Sequence, residues 1–123
     1  MKEKARFRLL RETVGMTQAA MASALGVEVR SVKRWESQEA PQVPPQDAWD
    51  LLGDALADQD RAVGAALGSP PARLPYWTGG AEHAQWSDDP SADWRMDNAA
   101  QRRIWATLRD RGLEPEVVDG RGR

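Results

Sequence analysis

The side chains that could carry chemistry in this 123-residue chain do not form a catalytic or metal-binding pattern. There is no cysteine, and His83 is the only histidine, with no Ser/His/Asp order or HExxH pattern around it. A lone imidazole of this kind is predicted to lie at the surface. Four aspartates at helical spacing are expected to form a solvated helix face rather than a metal site: Asp47, Asp50, Asp54 and Asp58. We therefore predict that the chain is not an enzyme and uses no cofactor or metal.

The basic residues are concentrated in the first third of the chain, although the net charge is −2. Residues 1–43 hold eight Lys or Arg and five Asp or Glu (+3), whereas residues 44–71 hold one Arg and five Asp (−4). Residues 72–123, with eight Arg and nine acidic residues, contribute −1. A locally basic region is compatible with nucleic-acid binding, but a pI of about 5.4 does not favour it for the whole chain. Charge alone leaves an ordinary mixed surface as the alternative.

The most informative segment is the block 17–36, with the sequence TQAAMASALGVEVRSVKRWE. Thr17 is a good N-cap for a helix over 18–25, Gly26 suits a left-handed helix end, and a second helix is predicted over 29–37. Two helices joined by so short a turn must cross steeply, which requires small residues where they touch. Polar and basic residues on the outer side of the second helix would then reach the major groove of DNA.

This block resembles the helix-turn-helix of the phage-repressor and Cro-type (XRE) regulators. A generic helical hairpin would explain the alanines and Gly26, but not the polar residues at their spacing. The resemblance covers about residues 4–56 and implies a DNA-binding domain. The residues that carry it are Thr17, Gln18, Met21, Ala22, Leu25, Gly26, Val27, Ser31, Val32, Arg34, Trp35 and Glu36.

The resemblance also implies roles for individual residues. The exposed side of the second helix would read bases through Val29, Arg30, Lys33 and Arg34. Phosphate contacts would come from Thr17, Gln18, Ser37 and Gln38. A buried ion pair of the family, which ties the first helix to the recognition helix, would be formed by Arg11 and Glu36.

The predicted fold is mainly α. It has an N-terminal helix-turn-helix unit of four or five helices over residues 1–68 and a small α+β unit over residues 72–123. The first helix, over residues 2–13, is expected to turn Ala5, Leu9 and Leu10 inward with Phe7 and Val14 close to the same side. Residues 45–67 lack an internal proline and form one helix or two, because residues 57–62 are polar all round.

The C-terminal part is predicted to contain a short strand over 72–77, a weak helix, a helix over 98–111 capped by Asp97, and a final strand around Val117. More loosely, it resembles the small dimerisation unit of short two-part regulators such as anti-CRISPR-associated repressors. The residues behind that resemblance are Leu74, Tyr76, Asp93, Trp94, Arg95, Met96, Ala99, Ala106 and Leu108.

The C-terminal part is also unusually rich in aromatic residues. About 50 residues are too few to bury them all in one private core, so we expect several to lie in a two-fold interface. A self-contained small core and a ligand-stacking platform are the alternatives. The dimer-interface candidates are Tyr76, Trp77, Trp86, Trp94 and Trp105.

Together these patterns predict a bacterial or phage transcription regulator, most simply an autoregulating repressor that binds an inverted repeat of double-stranded DNA as a homodimer. The alternatives are an antitoxin that also binds a toxin, and a regulator of the same fold that binds RNA. No apolar stretch approaches the length of a membrane span, and the start MKEKARFRLLRE lacks the apolar core of a signal peptide. A cytoplasmic location with no membrane partner is therefore expected.

Overall fold

The computed structural model describes residues 2–121, with the side chains of residues 3–121. The helices are α1 (Lys2–Val14), α2 (Gln18–Leu25), α3 (Val29–Glu36), α4 (Gln46–Gly68), α5 (Gly80–Trp86) and α6 (Trp94–Asp110), and the strands are β1 (Arg73–Pro75) and β2 (Glu116–Val118). The predicted fold class, mainly helical with a small α+β part at the C-terminal end, is confirmed. No helix in this described part of the chain is long and apolar enough to cross a membrane.

The chain forms two compact units, Met1–Asp58 and Gln59–Arg123. The division falls inside α4, whereas the sequence pattern placed it between residues 68 and 72, at the prolines. α4 is one continuous helix, since residues 57–62 are polar but contain no residue that breaks a helix. Its N-terminal part belongs to the first unit and its C-terminal part to the second.

In the N-terminal unit, the ends of α2 are set by two local interactions. The Thr17 hydroxyl accepts a hydrogen bond from the Ala20 N–H at 3.0 Å, and Gly26 ends the helix with φ of 68° in the left-handed region. The sharp turn lets α3 cross α2, and Val32 is fully buried on the inner face of α3. Phe7 packs edge-on against Trp35 and Trp49, with ring centroids 6.3 Å and 5.1 Å apart.

The buried face of α1 agrees with the prediction at Phe7 and Val14 and differs from it elsewhere. Leu9 and Ala5 are exposed, and the residues on the core side are Lys4, Phe7 and Val14. A helical stripe at positions 4, 7 and 14 is compatible with α-helical spacing, but it includes a lysine. The apolar pattern was therefore misleading because one buried position of α1 is occupied by a cation.

In the C-terminal unit, β1 and β2 form a parallel pair in which Leu74 lies opposite Val117. Leu74 packs into a small core with residues of α4 and α6, namely Val63, Ile104 and Leu108. Arg103 of α6 also donates hydrogen bonds to side chains of α4, to Gln59 at 3.1 Å and Asp60 at 2.5 Å. An isolated two-stranded sheet is only marginally stable in water, so the stability of this sheet depends on its packing against the helices.

α6 begins earlier than predicted. The helix starts at Trp94 and not at residue 98, because the Asp93 carboxylate accepts a hydrogen bond from the Arg95 N–H at 2.9 Å and acts as the N-cap. Asp97, the predicted cap, lies inside the first turn and contacts His83 instead. On α6 the buried residues are Asn98, Ala99, Ile104 and Leu108, whereas Ala106 is exposed.

Candidate nucleic-acid interface

α3 has one buried face and one charged, exposed face. Val32 and Trp35 are buried, whereas Arg30, Lys33 and Arg34 are exposed. The Arg30 guanidinium lies 4.0 Å from the Glu28 carboxylate, but both side chains are more than 70% exposed, so this ion pair is weak. Of the four residues predicted to read bases, Val29 alone is apolar, and it is half-buried at the start of the helix. The structure thus places three cationic side chains on one accessible helix of eight residues.

The C-terminal end of α3 is capped by a buried lysine. The Lys4 ammonium donates hydrogen bonds to the backbone carbonyls of Arg34, Ser37 and Ala40 at 3.0, 2.6 and 2.6 Å. These bonds occupy all three ammonium N–H groups, and the side chain is fully buried. A cation at a helix C-terminus is favourable because the last carbonyls carry partial negative charge. Lys4 therefore fixes both the end of α3 and the turn that follows it.

Sequence reasoning did not identify Lys4 as a site residue. A signal was present, since Lys4 lies three residues before Phe7 and ten before Val14, in phase with the buried stripe of α1. The pattern was not recognised because a lysine is rarely found fully buried unless its charge is matched by nearby acceptors. Here the acceptors are backbone carbonyls 30 to 36 residues away in sequence, which no local pattern reveals.

Arg11 and Glu36 form a double hydrogen bond between α1 and α3. Arg11 Nε and Nη2 lie 2.5 and 2.8 Å from the two Glu36 carboxylate oxygens, and both side chains are largely buried. Arg11 also donates to the carbonyl of Met16 at 2.9 Å. The hydrogen-bonded Glu36 carboxylate raises the pKa of Arg11, and burial of the guanidinium opposes that shift. The pair joins the first helix, the turn before α2 and the last residue of α3.

The four predicted phosphate contacts lie at two ends of the helix-turn-helix. Thr17 and Gln18 are at the N-terminus of α2, where the Thr17 hydroxyl caps the helix and the Gln18 amide donates to Glu36 at 3.3 Å. Ser37 and Gln38 follow α3, and the Ser37 carbonyl is one of the acceptors of Lys4. Gln38 is exposed, whereas Gln18 and Ser37 are half-buried.

Comparison with known families agrees with this geometry. Residues 5–63 match a protein family described as a helix-turn-helix domain, and the match covers most of α1, all of α2 and α3, and most of α4. This part of the chain is a helix-turn-helix domain, the fold of many DNA-binding regulators, and the resemblance of the block 17–36 to such a domain is confirmed. A search of curated proteins found no similar sequence.

The predicted interface aromatics of the C-terminal unit are not equally accessible. Trp77 is only 5% exposed, and its backbone N–H and carbonyl are both held by the Asn98 amide, at 2.8 and 2.9 Å. Its ring packs edge-on against His83, and a side chain at Gly120 would overlap it. Trp77 is therefore a core residue of the isolated unit.

His83 is buried, contrary to the surface position predicted for it. The imidazole Nε2 lies 2.6 Å from the Asp97 carboxylate, and the ring is covered by Trp77. The lone histidine therefore helps to assemble the core around Trp77. No cluster of acidic and histidine side chains suited to a metal ion is found among the described residues.

The other predicted interface aromatics are more accessible. Trp86, Tyr76 and Trp105 are 43%, 38% and 36% exposed, and Trp94 is half-buried. Arg95 lies over the Trp94 ring at 4.5 Å, and Arg109 lies 5.3 Å from the centre of the Trp105 ring. The small C-terminal core therefore accounts for Trp77 but leaves three aromatic side chains with substantial exposed surface.

Proposed function

We propose that this protein is a transcriptional repressor that inserts α3 into the major groove of an operator and binds an inverted repeat as a homodimer. The observation that carries the proposal is the exposed cationic face of α3 in a helix-turn-helix domain. Blocking a promoter by occupying it requires no chemistry, which agrees with the absence of a catalytic pattern in the sequence. Such a regulator acts in the cytoplasm, where the DNA is.

Arg30 and Arg34 are proposed to read guanine bases. They lie four residues apart on α3, and a guanidinium can donate two hydrogen bonds to O6 and N7 of one guanine. Lys33 lies beside them and would contact a base edge or a phosphate. Val29, at the start of the helix, would contact a thymine methyl group or pack against the sugar-phosphate backbone.

Gln18, Thr17, Ser37 and Gln38 are proposed to position the domain on the DNA backbone. Gln18 lies in the first turn of α2, where the helix dipole favours a phosphate, and its amide is oriented by Glu36. The same carboxylate holds Arg11, so the Gln18 amide is coupled to the α1–α3 ion pair. These contacts would fix the register of α3 in the groove without reading sequence.

The C-terminal unit is proposed to provide the dimer contact through Trp86. Trp86 is the most exposed of the candidate aromatics, and it stands at the end of α5. Large exposed aromatic side chains are enriched in protein interfaces. Half-sites about one helical turn of DNA apart (~10 bp), or a multiple of it, are expected from this arrangement.

The decisive experiment is a binding selection from random duplex DNA, followed by a gel shift with the selected sequence and with DNA from upstream of the gene. Arg30→Ala and Arg34→Ala are each expected to weaken specific binding by about 1–3 kcal/mol and to relax preference at one base pair. Arg111→Ala, which removes an exposed arginine in the other unit, is the matched control and should leave binding unchanged.

Other results would contradict the proposal. If both arginine variants kept the sequence preference of the parent chain, Arg30 and Arg34 would not be the residues that read bases. Tighter binding to a hairpin RNA than to duplex DNA at the same salt concentration would move the target to RNA. Co-purification of a small protein encoded next to this gene, with no specific DNA retardation, would favour an antitoxin. A sedimentation measurement in which Trp86→Glu leaves a dimer intact would exclude Trp86 as the dimer contact.

A further inference from the structure

The C-terminal unit contains an apolar groove between α6 and the two-stranded sheet. Its volume is about 330 Å³, which lies at the lower end of the range for small-molecule sites and is enough for a ligand with one or two rings. Its apolar lining comes from Leu74, Tyr76, Trp105, Ala106 and Val117. All of these residues belong to the C-terminal unit, so the groove is a property of that unit alone.

The groove is lined almost entirely by apolar surface, and a cation with hydrogen-bond donors lies at its rim. Arg102 Nη1 donates to the Tyr76 hydroxyl oxygen at 3.0 Å, which leaves the Tyr76 O–H proton free to donate elsewhere. Among residues 3–121, no carboxylate lies within 4.0 Å of the Arg102 guanidinium. Arg109 lies over the Trp105 ring, further along α6, and does not line the groove.

This combination matches a carboxylate better than it matches a neutral or cationic group. A guanidinium binds a carboxylate through paired, charge-assisted hydrogen bonds, and the Tyr76 hydroxyl can supply one more donor. The aromatic rings of Tyr76 and Trp105 provide flat apolar surface for the rest of the ligand. We propose that the groove binds a small aromatic monocarboxylate, with its carboxylate on Arg102 and Tyr76 and its ring against Trp105.

A second copy of the chain fits the groove less well. In a two-fold contact centred on Trp105, Arg102 and Arg109 would lie on either side of the axis and face the same cations of the other copy. Like charges brought together in an interface are unfavourable. A small monoanion instead pairs with Arg102 and brings no second cation close to it. The inference does not depend on DNA binding, and its failure would leave the proposed function of α3 untouched.

The test uses the ¹⁵N-labelled full chain and two probes of nearly identical shape, indole-3-acetate and its neutral amide. The Trp105 indole N–H signal, assigned with Trp105→Phe, is followed during titration. We expect saturable shifts of this signal, and at least about tenfold tighter binding of the acid than of the amide. Arg102→Gln should weaken binding of the acid about tenfold or more and leave binding of the amide almost unchanged.

The matched control is Arg95→Gln, which removes another exposed arginine of α6 that lies over Trp94 and does not line the groove. It should bind both probes like the parent chain. Thermal unfolding of each variant verifies that the C-terminal unit is intact, and Arg102→Lys tests the guanidinium, since a lysine keeps the charge but loses the paired donors.

Three results would overturn the proposal. The first is the absence of a saturable Trp105 shift with the acid up to about 10 mM, a concentration above the range of useful affinity for a small ligand. The second is equal affinity for acid and amide, which would show that the groove is apolar without recognising a carboxylate. The third is a dimer that Trp105→Glu dissociates, which would make the groove an interface between copies.

Discussion

The two units of this protein bury their polar groups in different ways. In the N-terminal unit, the buried groups are full charges, with Lys4 on three carbonyls and Arg11 on Glu36. In the C-terminal unit, two of them contact a tryptophan, with the Asn98 amide on the backbone of Trp77 and the ring of His83 against its indole. The first arrangement holds a helix whose outer face is left exposed, and the second builds a small core from large side chains.

This difference teaches what each unit requires. α3 has only eight residues and presents three cations outward, so its orientation must be fixed by contacts away from its exposed face. Charged contacts to its C-terminal end and to Glu36 do this without occupying its outer face. Besides the aliphatic core around Leu74, the C-terminal unit packs Trp77 between α5, α6 and the chain near Gly120. Substitutions in the N-terminal unit therefore test the pairing of buried charges, and substitutions in the C-terminal unit test steric fit.

The largest effect is expected from Lys4→Met, which keeps the length of the side chain but removes its charge. The carbonyls of Arg34, Ser37 and Ala40 would lose a buried donor, and the N-terminal unit should lose about 3 kcal/mol of stability. Hydrogen exchange of the α3 amides measures this unit separately. Lys33→Met, at an exposed position of α3, should change the free energy of unfolding obtained from exchange by no more than about 0.5 kcal/mol. Equal effects of the two variants would show that the buried ammonium contributes little.

Glu36→Gln is expected to destabilise the same unit by about 2 kcal/mol. The glutamine is nearly isosteric, but it takes away the buried carboxylate that is hydrogen-bonded to the Arg11 guanidinium. The control is Glu12→Gln, because Glu12 pairs with Arg8 at an exposed position and should matter by less than about 1 kcal/mol. Both variants are measured by the same exchange experiment. A larger loss of stability in Glu12→Gln than in Glu36→Gln would contradict the view that the buried ion pair contributes more than the exposed one.

Gly120→Ala tests steric fit in the C-terminal unit. A methyl group at Gly120 would overlap the six-membered ring of Trp77, so ring or chain must move, at a cost of about 1–3 kcal/mol. Gly79→Ala is a matched control, since a Cβ there meets no atom within 4 Å. Calorimetric unfolding should show a lower midpoint for the first variant only. An unchanged midpoint for Gly120→Ala would mean that the chain there is not held against Trp77.

The smallest expected effect is at the start of α6. Asp93→Ala removes the N-cap and should lower stability of the C-terminal unit by about 1 kcal/mol. In Asp97→Asn the helix start stays intact, but the hydrogen bond from His83 is weakened, so the two variants report different interactions. Proton chemical shifts of the Arg95 amide and the His83 ring distinguish them. If Asp97→Asn made α6 fray at Trp94, Asp97 and not Asp93 would be the N-cap of this helix.

Much of the N-terminal unit could be predicted because its determinants are local. Thr17 caps α2 and Gly26 ends it, and both act within a few residues of their own position. Arg30, Lys33 and Arg34 were expected on the outside of α3, and exposure follows from the periodicity of a short amphipathic helix. The particular roles of these residues at DNA remain predictions.

Less of the C-terminal unit could be predicted, because its determinants are distant in sequence. Asp93 and Asp97 are both acceptable caps by residue type, and the choice depends on where His83 lies. Trp77 could have been an interface residue by composition, and only its contacts with Asn98 and Gly120 make it a core residue.

From residue types and spacing alone one can predict that the chain is mainly helical, that a helix-turn-helix lies near its start, and which cations face outward on α3. These follow from spacing and from residue preferences that act over one or two helical turns. Only the tertiary structure decided that Lys4 caps α3 and that the groove beside Trp105 ends at Arg102 and Tyr76. The partners in both cases are more than 20 residues apart, and their meeting depends on how whole helices and strands pack.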